Sequence, residues 1–597
     1  MVLLGVLAWS RRWTSEDAFI YYRIVDNLLD GQGPVFNVGE RVEAYTGPLW
    51  LGALAFGRAL VPASAPIEWI AVVLGILLSV AGLLAVAWAA RELWSPSRGR
   101  GAPSRAALGL PLGALVVVVL PPFWDYATSG LETGLTFAWL GASFLGLVTF
   151  GLRSGSGGAD ERRRARTAYP LAVAIGVGPL VRPDLVIFAL AFLLTLLLVE
   201  RPRSPWRAVR LVAAAMAIPL AYQIFRMGYF GALVPSTALA KEAGESFWAR
   251  GWDYLANFVS PYALWLPLAA LLGYGTATAV GLWRRSEPVR VLLVAAPVLA
   301  GLLHALYVVR VGGDYMHARL LLPSLFAAVM PLAVILPGRR ATAAVLAAIV
   351  VPWALVCALE LRAPAEKPED EQQLQVDDQR RHIVELWGYR HPVTLDGLQA
   401  QPERRLALHR RQGLLLAELA ERRRAIVLDY SSDRNRFGER SRRPLPLDWA
   451  LPRPGLPPVV ARLGTIGRVG YAAGPSVHVA DKNGLADPIA ARVRLSPERA
   501  WRPGHEKTLP EDWTLARYAV PGTERGARIL AGDQRVLGAR RALGCGPLRE
   551  LVDATTRPLS ARRFLANMAF AVRERSLRFS ADPIRAAAEV CGRRGRP

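Results

Sequence analysis

Two adjacent carboxylates, Glu16 and Asp17, open the stretch WTSEDAFIYYRIVDNLLDGQGPVF that runs from residue 13 to residue 36. Carboxylates held in fixed geometry serve as general bases or as nucleophiles. Ser15 is a good helix N-cap, and Ala18, Tyr21, Tyr22, Val25, Leu28 and Leu29 recur at i, i+3, i+4, i+7 spacing until Gly31. That pattern predicts a short amphipathic helix with acid at its positive end. Taken alone, the pair would only complement the helix dipole, a surface effect of roughly 0.3–1 kcal/mol. Complementary charges lie elsewhere. Arg182-Pro183-Asp184 puts a charged pair at a proline break between two short apolar runs, where ionisable groups are expensive unless paired or functional; mutual satisfaction of the two is the plainer alternative. In Arg310-Val-Gly-Gly-Asp314-Tyr-Met-His317-Ala-Arg319 the glycines allow a tight turn that gathers Asp314, His317 and Arg319, the plainer alternative being a solvated turn. One Asp and one His do not make a metal site. Lys241, after Pro235-Ser-Thr, reads by itself as a solvated cation, and His304, inside an apolar run, as a hydrogen-bonded packing residue.

The elements that must position these groups are mostly apolar. Of 597 residues, 52% are hydrophobic and 18 are Trp, and the mean hydropathy is +0.25, too apolar for a soluble chain of this size. Long apolar stretches broken by Arg-rich loops fill only the first three fifths, which marks a polytopic α-helical membrane protein followed by a soluble remainder. The net charge of +24 splits as +9 before residue 361 and +15 after it, almost all from arginine. It forms no aromatic-interleaved patch and no zinc-spaced Cys/His set, so the reading is contact with anionic lipid and glycan, with no nucleic acid.

Candidate spans are 1–10, 67–90, 107–122, 133–152, 168–181, 185–199, 208–225, 261–283, 289–309, 319–337 and 341–359, with 49–62 interfacial or re-entrant. The first reads as a clipped span, with no cleavable signal peptide. The loops bearing Arg91, Arg98, Arg100 and Arg105, then Arg162 to Arg166, Arg201, Arg203 and Arg207, Arg284 and Arg285, and Arg339 and Arg340 all fall after even-numbered spans. By the positive-inside rule they are cytoplasmic. Eleven spans then put Glu16, Asp17, Glu43, Asp125, Glu132, Asp184 and Asp314, and the whole C-terminal domain, outside.

Three regions are expected: a membrane domain over 1–360, a helical connector over 361–425, and an extracytoplasmic mixed α/β domain over 426–597 with a glycan-binding or positioning role. In the last, 425–430, 467–471 and 476–480 read as strands, 441–458 as a loop, and Asp487-Pro488 as the start of a helix through Ile489 to Val493. No nucleophile elbow, phosphate loop or metal-spaced cluster is present. Asp429, Asp433, Asp481 and His505 remain unassigned polar groups. If the domain is outside the cytoplasm, Cys545 and Cys591 are able to form a disulfide, although spacing does not prove it.

A short first span, an outer loop opening on acid, about eleven spans and an outer C-terminal domain resemble the GT-C glycosyltransferases. With SEDAFIYYRIVDNLLDGQGPVFN, VEAYTGPLW, TSGLETGL, VRPD, GGDYMHAR with LLP after it, DKNGLADPIAAR and GHEK, the chain resembles the actinobacterial terminal arabinofuranosyltransferases of the AftB type. The resemblance spans residues 15 to about 507. It implies a plasma-membrane enzyme that takes arabinofuranose from decaprenyl-phosphoryl-arabinofuranose and caps cell-wall arabinan in β(1→2) linkage, in arabinogalactan or lipoarabinomannan. Asp17, with Glu16 second, is then the catalytic carboxylate. Arg182, Arg319, His317 and Lys241 are candidate cations for the donor phosphate, and Glu43, Glu132, Asp184 and Asp314 further polar groups of the outer cleft. A β-linked donor giving a β-linked product is net retention, so front-face and double displacement both stay open. A monophosphate leaving group requires no metal, though a structural divalent ion is allowed. The alternatives are a transferase of the same fold using another polyprenyl-phosphate sugar such as mannose, and a non-enzymatic envelope scaffold or transporter.

Overall fold

The computed structural model describes residues 1–62, 64–95, 109–153, 161–202, 204–337, 339–363, 375–386, 388–396, 405–429, 445–447, 449–495 and 502–592. Among them, seven helices are long and apolar enough to cross a bilayer: Ile67–Trp94, Thr133–Leu152, Pro183–Glu200, Pro205–Phe230, Trp265–Arg284, Pro288–Arg310 and Arg340–Leu359. Each coincides with a span expected from hydropathy. The other expected spans are shorter helices: Val2–Ser10, Leu112–Val119, Thr167–Val181 and Leu322–Leu332. Proline explains two of the interruptions. The 107–122 run stops before Pro121, where a new helix turns away as Pro121–Tyr126, and Arg182 is extended ahead of Pro183, as the steric demand of the pyrrolidine ring requires. The apolar segment near residue 50 is the helix Pro48–Ala59, about 18 Å long at 1.5 Å per residue, too short for a ~30 Å hydrocarbon core.

The expected amphipathic helix is present as Glu16–Leu29, with the Ser15 side chain accepting from the Ala18 NH at 3.3 Å. It is buried on nearly every side, an interior helix and not one lying on a membrane surface.

In the C-terminal region the strands are β1 (Ile426–Asp429), β2 (Leu445–Leu447), β3 (Ala450–Pro452), β4 (Val459–Leu463), β5 (Val477–Asp481) and β6 (Ala519–Pro521). One sheet runs β2-β1-β4-β5, parallel except for β2, and β3 pairs antiparallel with β6. Residues 467–471 are not a strand but the start of the helix Gly467–Ala473: Val469 and Ala473, four apart, are both buried, which is helical and not strand spacing. The 441–458 segment, outside its undescribed residues, carries β2 and β3, whose prolines are tolerated because both strands lie at sheet edges. Only Ala490–Arg492 of the helix expected at 489–493 forms, as one 3-10 turn. Tyr430 and Asp433 lie outside the described residues.

Side chains alternate across the main sheet. Ile426, Leu428, Val459, Ala461, Leu463, Val477 and Val479 join the hydrophobic core that continues into the membrane helices. Val427, Val460 and Ala480, on the opposite face, join a second core with Trp513, Leu530, Leu548 and Phe579 from the helices that follow. A sheet buried on both faces explains its near-continuous apolar strands. Cys545 and Cys591 are joined in a disulfide that ties the helix Pro583–Cys591 to the start of Gly546–Thr556.

Candidate active site

The quoted motifs are far apart in sequence and meet around the first turn of the helix Glu16–Leu29. Ser15 NH donates to the Ser129 carbonyl at 2.9 Å and Trp50 Nε1 to the Gly130 carbonyl at 3.0 Å. Gly130 is in the left-handed region at φ +79°, and a Cβ there would collide with Tyr22 and Ala18. Tyr21 OH receives the NH groups of Thr46 and Gly47 at 3.2 and 3.0 Å, and Gly47 lies so close to the Val181 carbonyl that only glycine fits. The acidic helix, the VEAYTGPLW loop, the TSGLETGL turn and the Arg182 break are thereby locked together.

Asp17 is partly exposed. Tyr315 donates its OH to Asp17 Oδ2 at 3.4 Å. Burial raises the Asp17 carboxyl above its ordinary range, while Lys241 and then Arg319 pull it back. Lys241 Nζ donates to Asp314 Oδ1 at 3.1 Å and stands 5.6 Å from the centre of the Tyr315 ring. Asp314 also accepts the Tyr315 NH at 3.0 Å and lies 3.8 Å from Arg319 Nη1. Arg319 Nη2 donates to Glu132 Oε1 at 2.9 Å. Asp17, Lys241, Asp314, Glu132 and Arg319 therefore form one contiguous charged cluster, and Lys241 is salt-bridged instead of solvated.

Arg182 forks onto Asp184, Nε to Oδ1 at 2.8 Å and Nη2 to Oδ2. Asp184 Oδ2 in turn lies 2.7 Å from His304 Nε2, and His304 Nδ1 lies 2.7 Å from Ser324 Oγ. His304 is thus the hydrogen-bonded packing residue expected, in service of an ion pair. Arg182 interacts electrostatically with both Glu132 and Arg319. Two buried cationic NH groups, Arg182 Nη1 and Arg319 Nε, have no hydrogen-bond partner among the described residues. Buried donors of this kind are costly to leave unmade, and Glu132 Oε2 and Asp314 Oδ2 of the same cluster are likewise without a hydrogen-bond partner among the described residues.

Other expected residues are placed differently. Glu16 faces the C-terminal domain: Arg468 holds both its oxygens, NH to Oε1 at 2.9 Å and Nη1 to Oε2 at 3.0 Å. Glu43 is bound by Arg226 at 2.6 and 3.1 Å and by Tyr222 at 2.7 Å. His317 has Tyr262 OH 3.1 Å from Nε2 and Asn257 Oδ1 2.7 Å from Nδ1. Burial lowers its pKa to about 4, so it is an uncharged, doubly bonded ring at neutral pH and not the cation expected. Asp125 pairs with Arg11 at 2.7 and 2.9 Å. Asp429 pairs with Arg462 at 3.2 Å, and Asp481 accepts the NH groups of Asn483 and Ala486 at 2.8 Å, so both are structural.

The C-terminal domain contributes residues that the sequence reading did not assign. The His505 ring stands edge-on to Tyr315 at 4.8 Å between centroids, and burial and then Arg502 hold its pKa down to about 3. Arg502 lies 5.2 Å from the centre of the Tyr315 ring and pairs with Asp377 at 2.8 Å. The neighbouring Glu506 pairs with Arg250 at 2.6 Å, and Lys507 donates to the Leu239 and Ala491 carbonyls at 2.8 Å. Tyr315 sits between two recognised motif residues, Asp314 and His317, but nothing local announces its contact with a residue 298 positions away.

Comparison with known proteins finds relatives along nearly the whole chain. The AftB family C-terminal domain matches residues 454–589. The terminal β-(1→2)-arabinofuranosyltransferase of Mycobacterium tuberculosis is 34% identical, over 95% of this chain and 92% of its own. That of Corynebacterium glutamicum is 33% identical, over 96% of this chain and 84% of its own. No solved structure matches. Through near-complete alignment with both enzymes, and a C-terminal domain of their type, the chain belongs to the terminal β-(1→2)-arabinofuranosyltransferase family.

Proposed function

We propose that this protein transfers arabinofuranose from decaprenyl-phosphoryl-arabinofuranose to the non-reducing ends of cell-wall arabinan, on the outer side of the plasma membrane. The observation that carries the mechanism is Asp17. Unlike Glu16, Glu132, Asp184 and Asp314 it makes no salt bridge among the described residues, yet it lies in the field of Lys241 and Arg319. A carboxylate kept basic by burial and still partly exposed is suited to take the proton of an acceptor 2-hydroxyl. The new bond forms between that oxygen and the anomeric carbon, and the bond from the anomeric carbon to the phosphate oxygen breaks. The departing polyprenyl phosphate takes the electron pair, and the unpartnered NH groups of Arg182 and Arg319 receive its charge. Lys241 and Asp314 set the local potential. No step draws on a metal ion.

With Asp17 the one carboxylate of the cluster free of a salt bridge among the described residues, a front-face course with Asp17 as base is the simpler account of retention. Double displacement would leave an arabinosyl ester on Asp17 that mass spectrometry of a quenched single turnover would reveal. The orientation that puts Asp17 and the C-terminal domain outside is supported by the arginine distribution and by the disulfide, a bond of oxidising compartments.

The test is transfer by purified enzyme in nanodiscs from labelled decaprenyl-phosphoryl-arabinofuranose to a synthetic arabinan acceptor, with a mannosyl donor alongside. Asp17→Asn is expected to lower turnover by at least ~100-fold, the usual scale of general-base catalysis, with donor binding retained. Near-normal turnover by that variant would remove Asp17 from the mechanism, and preference for mannose would overturn the donor assignment.

A further inference from the structure

We infer that the C-terminal domain is a working part of the catalytic centre, and that Arg468 is a positioning residue which holds the Asp17 helix in register with the membrane-side cations. This rests on the reading of Asp17 given above. Arg468, 3% exposed, grips the first turn of that helix from outside. Its main-chain NH and its Nη1 bind the two oxygens of Glu16, the residue next to Asp17, and its Nη2 donates to the Thr14 carbonyl at 2.8 Å. One guanidinium therefore spans both sides of the Ser15 cap. Gly467, beside it, lies against the Glu16 carbonyl so closely that a Cβ would overlap it, an approach open only to glycine.

A second fastening lies two turns along. Arg23, 2% exposed, donates to the Phe36 carbonyl at 2.7 Å, to the Gly470 carbonyl, and to the Val477 carbonyl at 2.7 Å. Asn37 then exchanges hydrogen bonds with Val479 on β5 at 2.9 and 3.0 Å. The contacts to the C-terminal domain are thus mostly buried, and those of Arg23 and Arg468 are charge-assisted, which makes them stronger than neutral pairs. The groups that Asp17 must face, Arg319, Lys241 and Arg182, belong to the membrane half. The helix between them is braced by a domain that begins some four hundred residues later.

Catalytic geometry tolerates little movement: a displacement of about 1 Å costs on the order of 10²-fold. Full-length enzyme in nanodiscs is assayed with decaprenyl-phosphoryl-arabinofuranose as Arg468→Gln, Arg468→Lys, Gly467→Ala and Asp17→Asn, with Arg494→Gln as control, since Arg494 is an exposed residue paired to Glu589 and far in sequence from the Asp17 helix. Turnover is referred to folded protein, measured by elution profile and thermal midpoint. Arg468→Gln and Gly467→Ala are expected to lower kcat about 10- to 100-fold with the donor KM within about two-fold. Arg468→Lys recovers part of the loss by keeping one charged contact to Glu16. A merely structural role would lower the folded fraction and leave kcat per folded molecule unchanged, and that result would overturn the inference. If Arg468→Gln does not fold, Gly467→Ala, which leaves Arg468 in place, carries the same test. Should Asp17→Asn be inactive while Arg468→Gln and Gly467→Ala turn over normally, the bracing role falls and Asp17 stands. Should Asp17→Asn be active, both fall.

Discussion

Tyr315 is the residue at which the candidate base meets both halves of the protein. Burial, then the charges of Asp17 and Asp314, hold its phenol well above the ordinary range, so it keeps the proton with which it donates to Asp17. Tyr315→Phe removes that donor and keeps the ring that packs on His505; a loss of about 5- to 20-fold in kcat is expected, the equivalent of a hydrogen bond worth about 1–2 kcal/mol. The pH profile gives a separate check. Because the Asp17 pKa is raised, the base is protonated and idle at low pH, and the acid limb of kcat/KM lies above the usual carboxylate range. Lys241 opposes that shift, so Lys241→Met should move the limb to still higher pH. An unmoved limb would mean that another group titrates there. Asp17, Arg182 and Arg319 stand out in the sequence as charged residues at a helix start and at breaks, and the choice of Asp17 over Glu16 came from the family resemblance. Tyr315 and Arg468 were not, since their meaning lies in contacts whose partners are 298 and 452 residues away.

Among elements, those with a strong period were readable and those that depend on tertiary approach were not. Seven apolar runs became seven long helices, and the strands near 426 and 477 formed where alternation and β-branched residues suggested. The stretch at 467 failed because Arg-Val-Gly-Tyr reads as alternating, whereas its glycines are there to let a helix touch Glu16 and Phe36. The disulfide gives this scale its own prediction. Cys545 and Cys591 close a loop of sequence separation 46, and their joint replacement by serine should destabilise the terminal helices by roughly 2–4 kcal/mol. Calorimetry reads the loss. Transfer at low temperature should be unaffected, because neither sulfur touches the cleft residues described above.

At the scale of the molecule, the sequence divides into an apolar part and a basic polar part, and the structure joins them through a sheet with one face in each core. The division was legible from hydropathy; the shared core was not, since strands buried on both faces carry no mark of which partner lies on which side. The outward orientation is open to direct measurement. In a variant with Cys357 replaced, Arg494→Cys should react with a membrane-impermeant maleimide on intact cells, and Arg285→Cys only after the membrane is breached. The opposite pattern would invert the topology. The bracing of the Asp17 helix also has a consequence in time. Its first turn leaves the ribosome well ahead of Arg468, which follows 452 positions later, about 20–90 s at 5–20 residues per second. Through that interval the membrane helices are already able to insert, but the Asp17 helix lacks its fastening to Arg468, so a chain ended before Arg468 would occupy the membrane without that brace, and catalytic competence would date from the folding of the C-terminal domain onto the helix.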